Sequence, residues 1–409
     1  MKILFVSDDF PPITHTGPSI VVYNLAQGLI KLGHSVFVIA SVQDKQQAGV
    51  GVYDGIEVHR IYAHYPDRWI SYLSLFNPQT IFEFKKIISR IKPDVCHFHN
   101  VHGHISYHTF FLGSRYSRAV FLTAHDMMLF NYGKLNLKNG ACNYKVTLWD
   151  NLRNAKKRYN PLRNVLIRHY LKYIDKIFCI TNIQKDVLAL NGITNTATIH
   201  NAIAGDYWQK DDSAIEAFKE KFKLIGKRVI MFGGRLSEAK GGSAIIEAMI
   251  QVVKEVDNAV LMIVGEMTGY AEYLMDKSNA AKLTDKVLFT GWLSRSEMGL
   301  AFFSAEVCVT PSIYFDPFNL FNIEAMSAGK PVVGTCFGGT SEIVVDGETG
   351  YIVNPLKTEE LAGKIIDLLK HPDLAKKFGQ AGRQRVVKEF SLDKQVAETL
   401  DWYNKFIDK

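Results

Sequence analysis

Two carboxylates, Asp316 and Glu324, stand eight positions apart in SIYFDPFNLFNIEAMSAGKPVVGTCFGG, a stretch otherwise mostly apolar and punctuated by Gly and Pro. Acids seldom enter such a run without a partner, because a charge withdrawn from water is costly unless it is paired. The run VCVT before Pro311 reads as a strand, and a helix is predicted to begin near Asn319 or Leu320, with Pro317 fixing the approach. Asp316 then lies in the loop before the helix and Glu324 more than a turn inside it. Three loop residues and about five helical ones span roughly 10–17 Å. That separation suits the two ends of an extended sugar–diphosphate–ribose ligand better than the ~5 Å pair of a retaining hydrolase. On this reading Glu324 accepts from ribose hydroxyls and Asp316 from sugar hydroxyls. The competing reading is that Glu324 caps or pairs locally.

Further upstream, GGRLSEAKGG follows the apolar run RVIMFGG and precedes a helical pattern. Its glycines let backbone approach a ligand closely. Arg235 offers a planar fork of donors suited to phosphate, and Lys240 adds a point charge. A helix start near residue 320 presents free backbone N–H groups and the positive end of the helix dipole, an anion site. A diphosphate held there would be clamped by Arg235 and Lys240 from the opposite side. The bland alternative for the pair is a turn carrying surface cations.

Positioning these groups requires strands that end where the motifs begin. The chain opens with a short apolar strand at Lys2–Ser7, a Pro/Gly turn at Phe10–Pro18, a helical pattern ended by Gly33, and a strand at Val36–Ala40. Val58–Tyr62, Val95–Phe98, Val120–Thr123 and Ile177–Thr181 are further strand candidates. From about residue 228 a second series begins: RVIMFGG, AVLMIVG, KVLFTG, VCVTP, PVVGT and GYIVN, with helices near 243–255, 270–282, 295–303, 320–328 and 358–370. Short buried strands alternating with helices argue for parallel sheets covered on both faces, and two such series argue for two Rossmann-like domains. The pattern weakens between about 200 and 227, through Asp206–Asp212 and a charged helix at Ala214–Lys223. Boundaries are accordingly expected at 1–203, 204–388 and 389–409.

The 409 residues carry 47% hydrophobic and 22% charged side chains, enough to bury sizeable cores. A net charge of +7 fits an anionic ligand or an anionic membrane surface and gives no pointer to nucleic acid. The five cysteines form no C-x-x-C pair, and Cys96, Cys179 and Cys308 sit in apolar runs as small core residues, so a reducing compartment is expected. MKILFVSDDFPP turns acidic too soon for a signal peptide, and no uncharged apolar run approaches ~20 residues. Cytoplasmic residence follows as an expectation. The segment Lys134–Lys176, with NLRNAKKRYNPLRNVLIRHYLKYIDK, is either a solvated helix pair or a patch resting peripherally on an anionic membrane.

The chain resembles the retaining glycosyltransferases of family 4, glycosyl transferases group 1, over nearly its whole length. GRLSEAKGG, VLFTGWLS, TPSIYFDPFNLFNIEAMSAGKPVV and GGTSEIVVDGETGYIV stand in the family's order and spacing; FPPITHTGPSIVVYNLAQGLIKLGHSV, PDVCHFHN and LTAHD carry a looser likeness in the first half. The resemblance implies the α/β GT-B fold: a Rossmann-like acceptor domain and a Rossmann-like donor domain facing across a cleft. A closing helix, in the segment with Phe390, Trp402 and Tyr403, crosses back to the first domain. It implies that Arg235 and Lys240 bind the donor diphosphate and that Asp316 and Glu324 are the paired acids of the E-x7-E motif, the first catalytic at the transferred sugar and the second at the ribose. By the same resemblance Asn319, Leu320 and Phe321 offer backbone to sugar and phosphate, Gly17 faces the donor, His125 is catalytic near sugar and phosphate, and Trp292 falls where the chain passes the base. Three positions depart from the usual pattern: Asp316 replaces Glu, Asn319 replaces Gly and Thr16 replaces Gly.

The implied reaction moves a sugar from a nucleotide-diphosphate sugar to an acceptor hydroxyl with retained configuration, in surface polysaccharide or glycolipid assembly. No D-x-D sequence occurs, so neither a cofactor nor a metal is expected. Five histidines crowd residues 97–108, and His97 and His99 would share a strand face as zinc ligands do, but no Cys or carboxylate completes a set. A nucleotide-sugar epimerase of the same architecture, or a catalytically weak nucleotide-sugar-binding member, is the alternative. A dehydrogenase is disfavoured because SDDFPPI, not G-x-G-x-x-G, follows the first strand. Partners expected are a nucleotide sugar and a glycan or lipid-linked glycan acceptor, the latter at Tyr62–Phe84 and Leu129–Tyr173, where aromatics interleave with basic residues.

Overall fold

The computed structural model describes residues 1–135, 143–204 and 207–407. Cys142, and parts of the Asp206–Asp212 and Leu129–Tyr173 stretches, lie outside them. The chain divides into two compact units. One comprises Met1–Leu135, Tyr144–Ala202 and the segment from Leu392 onward; the other spans Ile203–Ser391.

The first unit is built on eight strands: β1 (Lys2–Ser7), β2 (Ser35–Val42), β3 (Gly49–Tyr53), β4 (Ile56–Tyr62), β5 (Val95–Phe98), β6 (Ala119–Ala124), β7 (Lys176–Cys179) and β8 (Thr196–Thr198). Their order is β3-β4-β2-β1-β5-β6-β7-β8. All neighbours run parallel except β3 and β4, an antiparallel hairpin at the edge. The central strands are buried along their length, which explains their unbroken Val, Ile, Leu and Phe runs. β7 stops at Cys179 rather than Thr181, because Thr181 is the N-cap of the next helix and accepts from Gln184 N. Helix α1 (Gly17–Lys31) is capped by Thr16 and carries Pro18 in its first turn, where a missing N–H costs nothing. The closing helix Leu392–Ile407 packs on this unit: Tyr403 is fully buried and Val396 lies over Gly28. Phe390, placed in the closing segment by the sequence, groups instead with the second unit.

The second unit holds β9 (Arg228–Gly233), β10 (Ala259–Val264), β11 (Val287–Gly291), β12 (Val307–Thr310), β13 (Val332–Thr335) and β14 (Gly350–Val353), all parallel, in the order β11-β10-β9-β12-β13-β14. Ile230, Phe232, Ile245, Met249, Leu261, Val309 and Ile365 belong to its core.

In both sheets the order reverses once near the middle: between β1 and β5 in the first, between β9 and β12 in the second. Loops leaving the carboxyl ends of two such strands diverge to opposite faces and leave a crevice, the usual ligand position in open parallel sheets. Cys96, Cys179 and Cys308 are buried as expected, while Cys336 is exposed. No described helix is long and apolar enough to cross a membrane.

Candidate functional site

At the reversal of the second sheet, three loops converge on Asp316. The loop after β9 runs through Gly234, at φ 115°, to an exposed Arg235 and a short turn at Glu238–Lys240. It then enters a helix through Gly241 at φ 80°, where a Cβ would stand 1.8 Å from the Pro311 carbonyl oxygen. Only glycine permits that contact, which seats the first loop on the second. Ile313 N donates to the Ala239 carbonyl at 2.9 Å and ties the two further. The third loop follows β13: Gly339 N donates to the Asp316 carbonyl at 2.8 Å, and Thr335 Oγ1 donates to the Ser312 carbonyl at 2.7 Å.

Asp316 is buried, 3% exposed, and its Oδ2 receives Lys240 Nζ at 2.7 Å and Ser312 Oγ at 3.0 Å. Burial alone would drive the Lys240 pKa down. The Asp316 carboxylate, then Tyr314, reverse that, and the net shift is upward, so the ammonium stays charged. The sequence placed Lys240 on the diphosphate and Asp316 on the sugar as separate groups; the structure makes them one ion pair. Arg235, by contrast, has no side-chain hydrogen bond or ion pair among the described residues.

Helix α4 (Leu320–Ser327) begins where the sequence placed it, with Asn319 as N-cap at φ −86°. A glycine is not needed at that angle. The Asn319 side chain accepts from Phe321 N at 3.2 Å, so one of the N–H groups that an anion would seek already has a partner. Leu320 is partly exposed. The Phe321 ring is buried against Phe302, centroids 4.9 Å apart, and a Cβ on Gly233 would come within 2.9 Å of it, leaving only its backbone for a ligand. Thr310 Oγ1 donates to Asn322 Oδ1 at 2.8 Å and fixes the helix to β12.

Glu324 lies on the second turn of α4. Tyr207 Oη donates to its Oε1 at 3.2 Å, Trp208 Nε1 donates to its backbone carbonyl at 3.0 Å, and Arg295 stacks on the Tyr207 ring at 4.6 Å. Burial pushes the Glu324 pKa up to about 7, against the smaller opposing pulls of Tyr207 and Arg295. The partner the structure gives the Glu324 carboxylate is Tyr207, 117 residues away in the chain, and not a cap or neighbour on its own helix. Trp292, directly after β11, is 68% exposed and makes no ring contact with the other candidates among the described residues.

The first unit carries the remaining two. His125 follows β6; its Nε2 is 2.8 Å from His99 Nδ1, the rings stack with centroids 5.1 Å apart, and burial lowers its pKa to about 4, so the ring is neutral at neutral pH. Gly17 is the exposed first residue of α1. Thr16, which stands where a glycine is usual, serves as the N-cap, with Ser19 N donating to its Oγ1 at 3.4 Å. His97 and His99 do share a face, with centroids 4.5 Å apart. His97 is engaged at both nitrogens, by Tyr403 Oη at 2.6 Å and Thr123 Oγ1 at 2.8 Å, as a buried hydrogen-bonding residue.

The structure thus gathers Lys240, Asp316 and the start of α4 at one sheet reversal, with Arg235 on the loop that leads to Lys240. It adds Ser312, Tyr314, Tyr207, Arg295 and Gly241, which the sequence reading did not single out. Gly241 had a signal in the Lys-Gly-Gly triplet; Tyr207 had only its place in an aromatic pair.

Comparison with known proteins follows the same division. The family model described as Glycosyltransferase Family 4 matches residues 15–206, and that described as Glycosyl transferases group 1 matches residues 214–385. An uncharacterized glycosyltransferase of Methanocaldococcus jannaschii is 25% identical over 98% of this chain and 98% of its own. Among solved structures, sucrose-phosphate synthase from Thermosynechococcus elongatus superposes with a TM-score of 0.79 at 20% identity, covering 100% of this chain and 99% of that one. Anabaena HepE in complex with UDP-glucose gives 0.73 at 18% identity, over 98% and 100%.

Proposed function

Because the chain belongs to the group 1, family 4 glycosyltransferases, we infer that it transfers a sugar from a nucleotide-diphosphate donor to an acceptor hydroxyl with retention of configuration. The observation that carries this reading is the buried Lys240–Asp316 pair at the sheet reversal, 2.7 Å across, beside the start of α4. The bond from the anomeric carbon to the β-phosphate oxygen breaks, and its electron pair leaves with the diphosphate. The acceptor oxygen bonds to the same face of that carbon, and its proton passes to a leaving phosphate oxygen. The hard part is charge separation, so cations and N–H dipoles placed at the leaving group lower the barrier most. Arg235, with no partner among the described residues, is available to phosphate. Lys240 is pinned by Asp316 at the place where both sugar and phosphate would meet it. Asp316, held by that pairing, accepts from sugar hydroxyls, and Glu324 accepts from the ribose once its proton is lost. The neutral imidazole of His125 is suited to donate to an uncharged hydroxyl or a phosphate oxygen.

Metal independence belongs to this reading, since Arg235 and Lys240 supply the positive charge; transfer should be unchanged by EDTA. The test of the site is Asp316→Ala. Transfer should be lost while nucleotide affinity is largely kept; unchanged transfer would remove Asp316 from the chemistry. Incubation with donor alone separates transfer from epimerisation, which interconverts the sugar without acceptor.

A lipid-linked or membrane-proximal acceptor is supported by the surface of the first unit. Helices α2 (Leu148–Ala155) and α3 (Arg163–Tyr170) leave Leu148, Trp149, Leu162 and Val165 exposed beside Lys156, Lys157, Arg153 and Arg168. Trp69 and Tyr72 adjoin them, because Tyr72 Oη donates to the Tyr159 carbonyl at 3.2 Å and Asn160 Nδ2 to the Ser71 carbonyl at 2.9 Å. Apolar and aromatic side chains mixed with cations suit the headgroup region of an anionic bilayer. Arg163 is not part of that face: it is buried, its guanidinium 4.7 Å from the Tyr132 ring centroid.

A further inference from the structure

One edge of the first sheet is left open. β3 stands last in the strand order, beside β4 alone, and its sequence Gly-Val-Gly-Val-Tyr carries neither charge nor proline. Its register against β4 runs without a bulge from Gly49 opposite Arg60 to Tyr53 opposite Ile56. Natural sheets guard an edge with lysine, proline, a bulge or a covering segment, and an unguarded edge is a template for another strand. We propose that this chain forms a two-fold dimer in which β3 pairs antiparallel with β3 of a second copy, joining the two first sheets into one. The proposal stands on the first unit alone and does not depend on the transfer reading.

The hairpin dictates which backbone groups are on offer. Its turn, Asp54–Gly55, is two residues long with φ of 47° and 82°, the type I′ geometry. Tyr53 and Ile56, which flank that turn, exchange hydrogen bonds, and along an antiparallel ladder bonded and non-bonded pairs alternate. Tyr53, Gly51 and Gly49 therefore spend their N–H and C=O groups on β4, while those of Val50 and Val52 point outward. The side chains of the same two valines are 62% and 75% exposed. Val50 also borders a cavity of about 510 Å³ with Phe37 and Ile91, so apolar surface continues inward from the edge. The hairpin is braced from behind. Tyr23 Oη donates to Asp54 Oδ2 at 2.8 Å, and Gln27 Nε2 donates to the Asp54 carbonyl at 2.7 Å. The Tyr53 ring packs on Tyr23 and Phe10, with centroids 5.6 and 6.3 Å away. A strand already ordered loses little freedom on pairing.

The complement of this strand is the strand itself. With Gly51 on the two-fold axis, Val50 of one copy faces Val52 of the other, and outward N–H groups meet outward C=O groups on both sides of the axis. The side chains match in the same register. Valine faces valine, a favourable cross-strand couple. Tyr53 faces Gly49 of the second copy, around which an added Cβ would meet nothing within 4 Å, and an aromatic ring laid across a glycine fills such a gap. Arg60 is the next residue in that row and offers its guanidinium to the ring. A net charge of +7 opposes self-association in general, but no charged side chain stands on β3 itself. A slip of one residue would set outward groups against groups already spent on β4, so a single register is favoured. An unrelated peptide would have to reproduce this alternation; a second copy supplies it.

Sedimentation velocity on the full chain over a concentration series tests the dimer, which so small an interface makes reversible. The mass should rise from one chain toward two with concentration. Val52→Lys, at an exposed position, should abolish the rise and leave the melting temperature unchanged. Mild oxidation checks the register. Gly51 forms the non-bonded pair on the axis, with Cα atoms about 4.5 Å apart, so Gly51→Cys should yield a disulfide-linked dimer. Val52→Cys should stay at the background of the unaltered chain, because its own counterpart lies beyond the ~7 Å limit for a disulfide. A mass of one chain up to the limit of solubility, a dimer that survives Val52→Lys, or equal cross-linking of the two cysteine variants overturns the proposal. Should Gly51→Cys not fold, the comparison of Val52→Lys with the unaltered chain decides alone.

Discussion

Replacing Glu324 with Gln tests the electrostatics of α4 directly. Burial raises this carboxyl from an ordinary 4.5 to about 7. Each pKa unit is worth about 1.36 kcal/mol, so the rise corresponds to up to ~3 kcal/mol of pH-dependent stability. The folded chain holds this proton to higher pH than the unfolded chain does. Between 4.5 and 7 the folded state therefore binds more protons. The group's stabilising contribution is complete below 4.5 and is lost as pH rises through 7. Gln cannot titrate. Wild type and Glu324→Gln should differ by a constant near about pH 4.5, and the variant should gain up to ~3 kcal/mol on wild type by about pH 8. Urea unfolding followed by tryptophan fluorescence reads this gap, with the Trp208 indole seated on the Glu324 carbonyl as reporter. Carbon-13 NMR of Glu324 Cδ reads the titration itself. A midpoint near 4.5, or a gap that does not change with pH, would refute the reasoning. Nucleotide affinity should follow the same titration, tightening as pH rises through 7, because ribose hydroxyls donate best to an ionised carboxylate.

The two cations of the site should separate on mutation. Arg235→Ala, at an exposed residue without a partner among the described residues, should leave the melting temperature alone and cut turnover by about 10²–10³; Lys240→Ala should cut turnover comparably but also cost about 2–4 kcal/mol, because it strands a buried Asp316. Equal melting temperatures for the two variants would count against the pairing. Gly241→Ala should lower stability by several kcal/mol, since both its φ of 80° and the 1.8 Å approach to Pro311 exclude a side chain; a wild-type thermal melt would contradict this. Replacing Lys156, Lys157 and Arg158 with Ser, or Trp149 with Ser, should reduce co-sedimentation with anionic vesicles, and an unchanged bound fraction would leave that face simply solvated.

Much of the scaffold was legible because its strands are short, doubly buried apolar runs bounded by Gly and Pro, as in RVIMFGG and PVVGT. The edge hairpin was not: in β3, Val50 and Val52 are 62% and 75% exposed and alternate with glycines, so no buried face marks it. The helix Pro372–Glu389 was hidden by its polarity, since it buries mainly small residues such as Ala375, Gly379 and Gly382 beside Phe378 and Val386. At the site, the start of α4 could be read locally from Pro317 and Asn319. The pairing of Lys240 with Asp316 could not, because the partners lie 76 residues apart and meet only when three loops converge. Tyr207 is 117 residues from the carboxylate it covers, and nothing in its own surroundings announces that contact.

The closing helix has a consequence for how the molecule comes into being. Tyr403 seals His97, Val396 fills the hollow over Gly28, and Arg118 Nη2 donates to the Ile407 carbonyl at 2.6 Å. The helix that carries Val396, Tyr403 and Ile407 leaves the ribosome after the whole of Ile203–Ser391. At about 5–20 residues per second, that middle stretch takes roughly 10–40 s to emerge. The first unit, translated ahead of the second, is therefore completed after it, and for that interval its incomplete flank is an apolar furrow open to chaperones or to the matching helix of a neighbouring nascent chain.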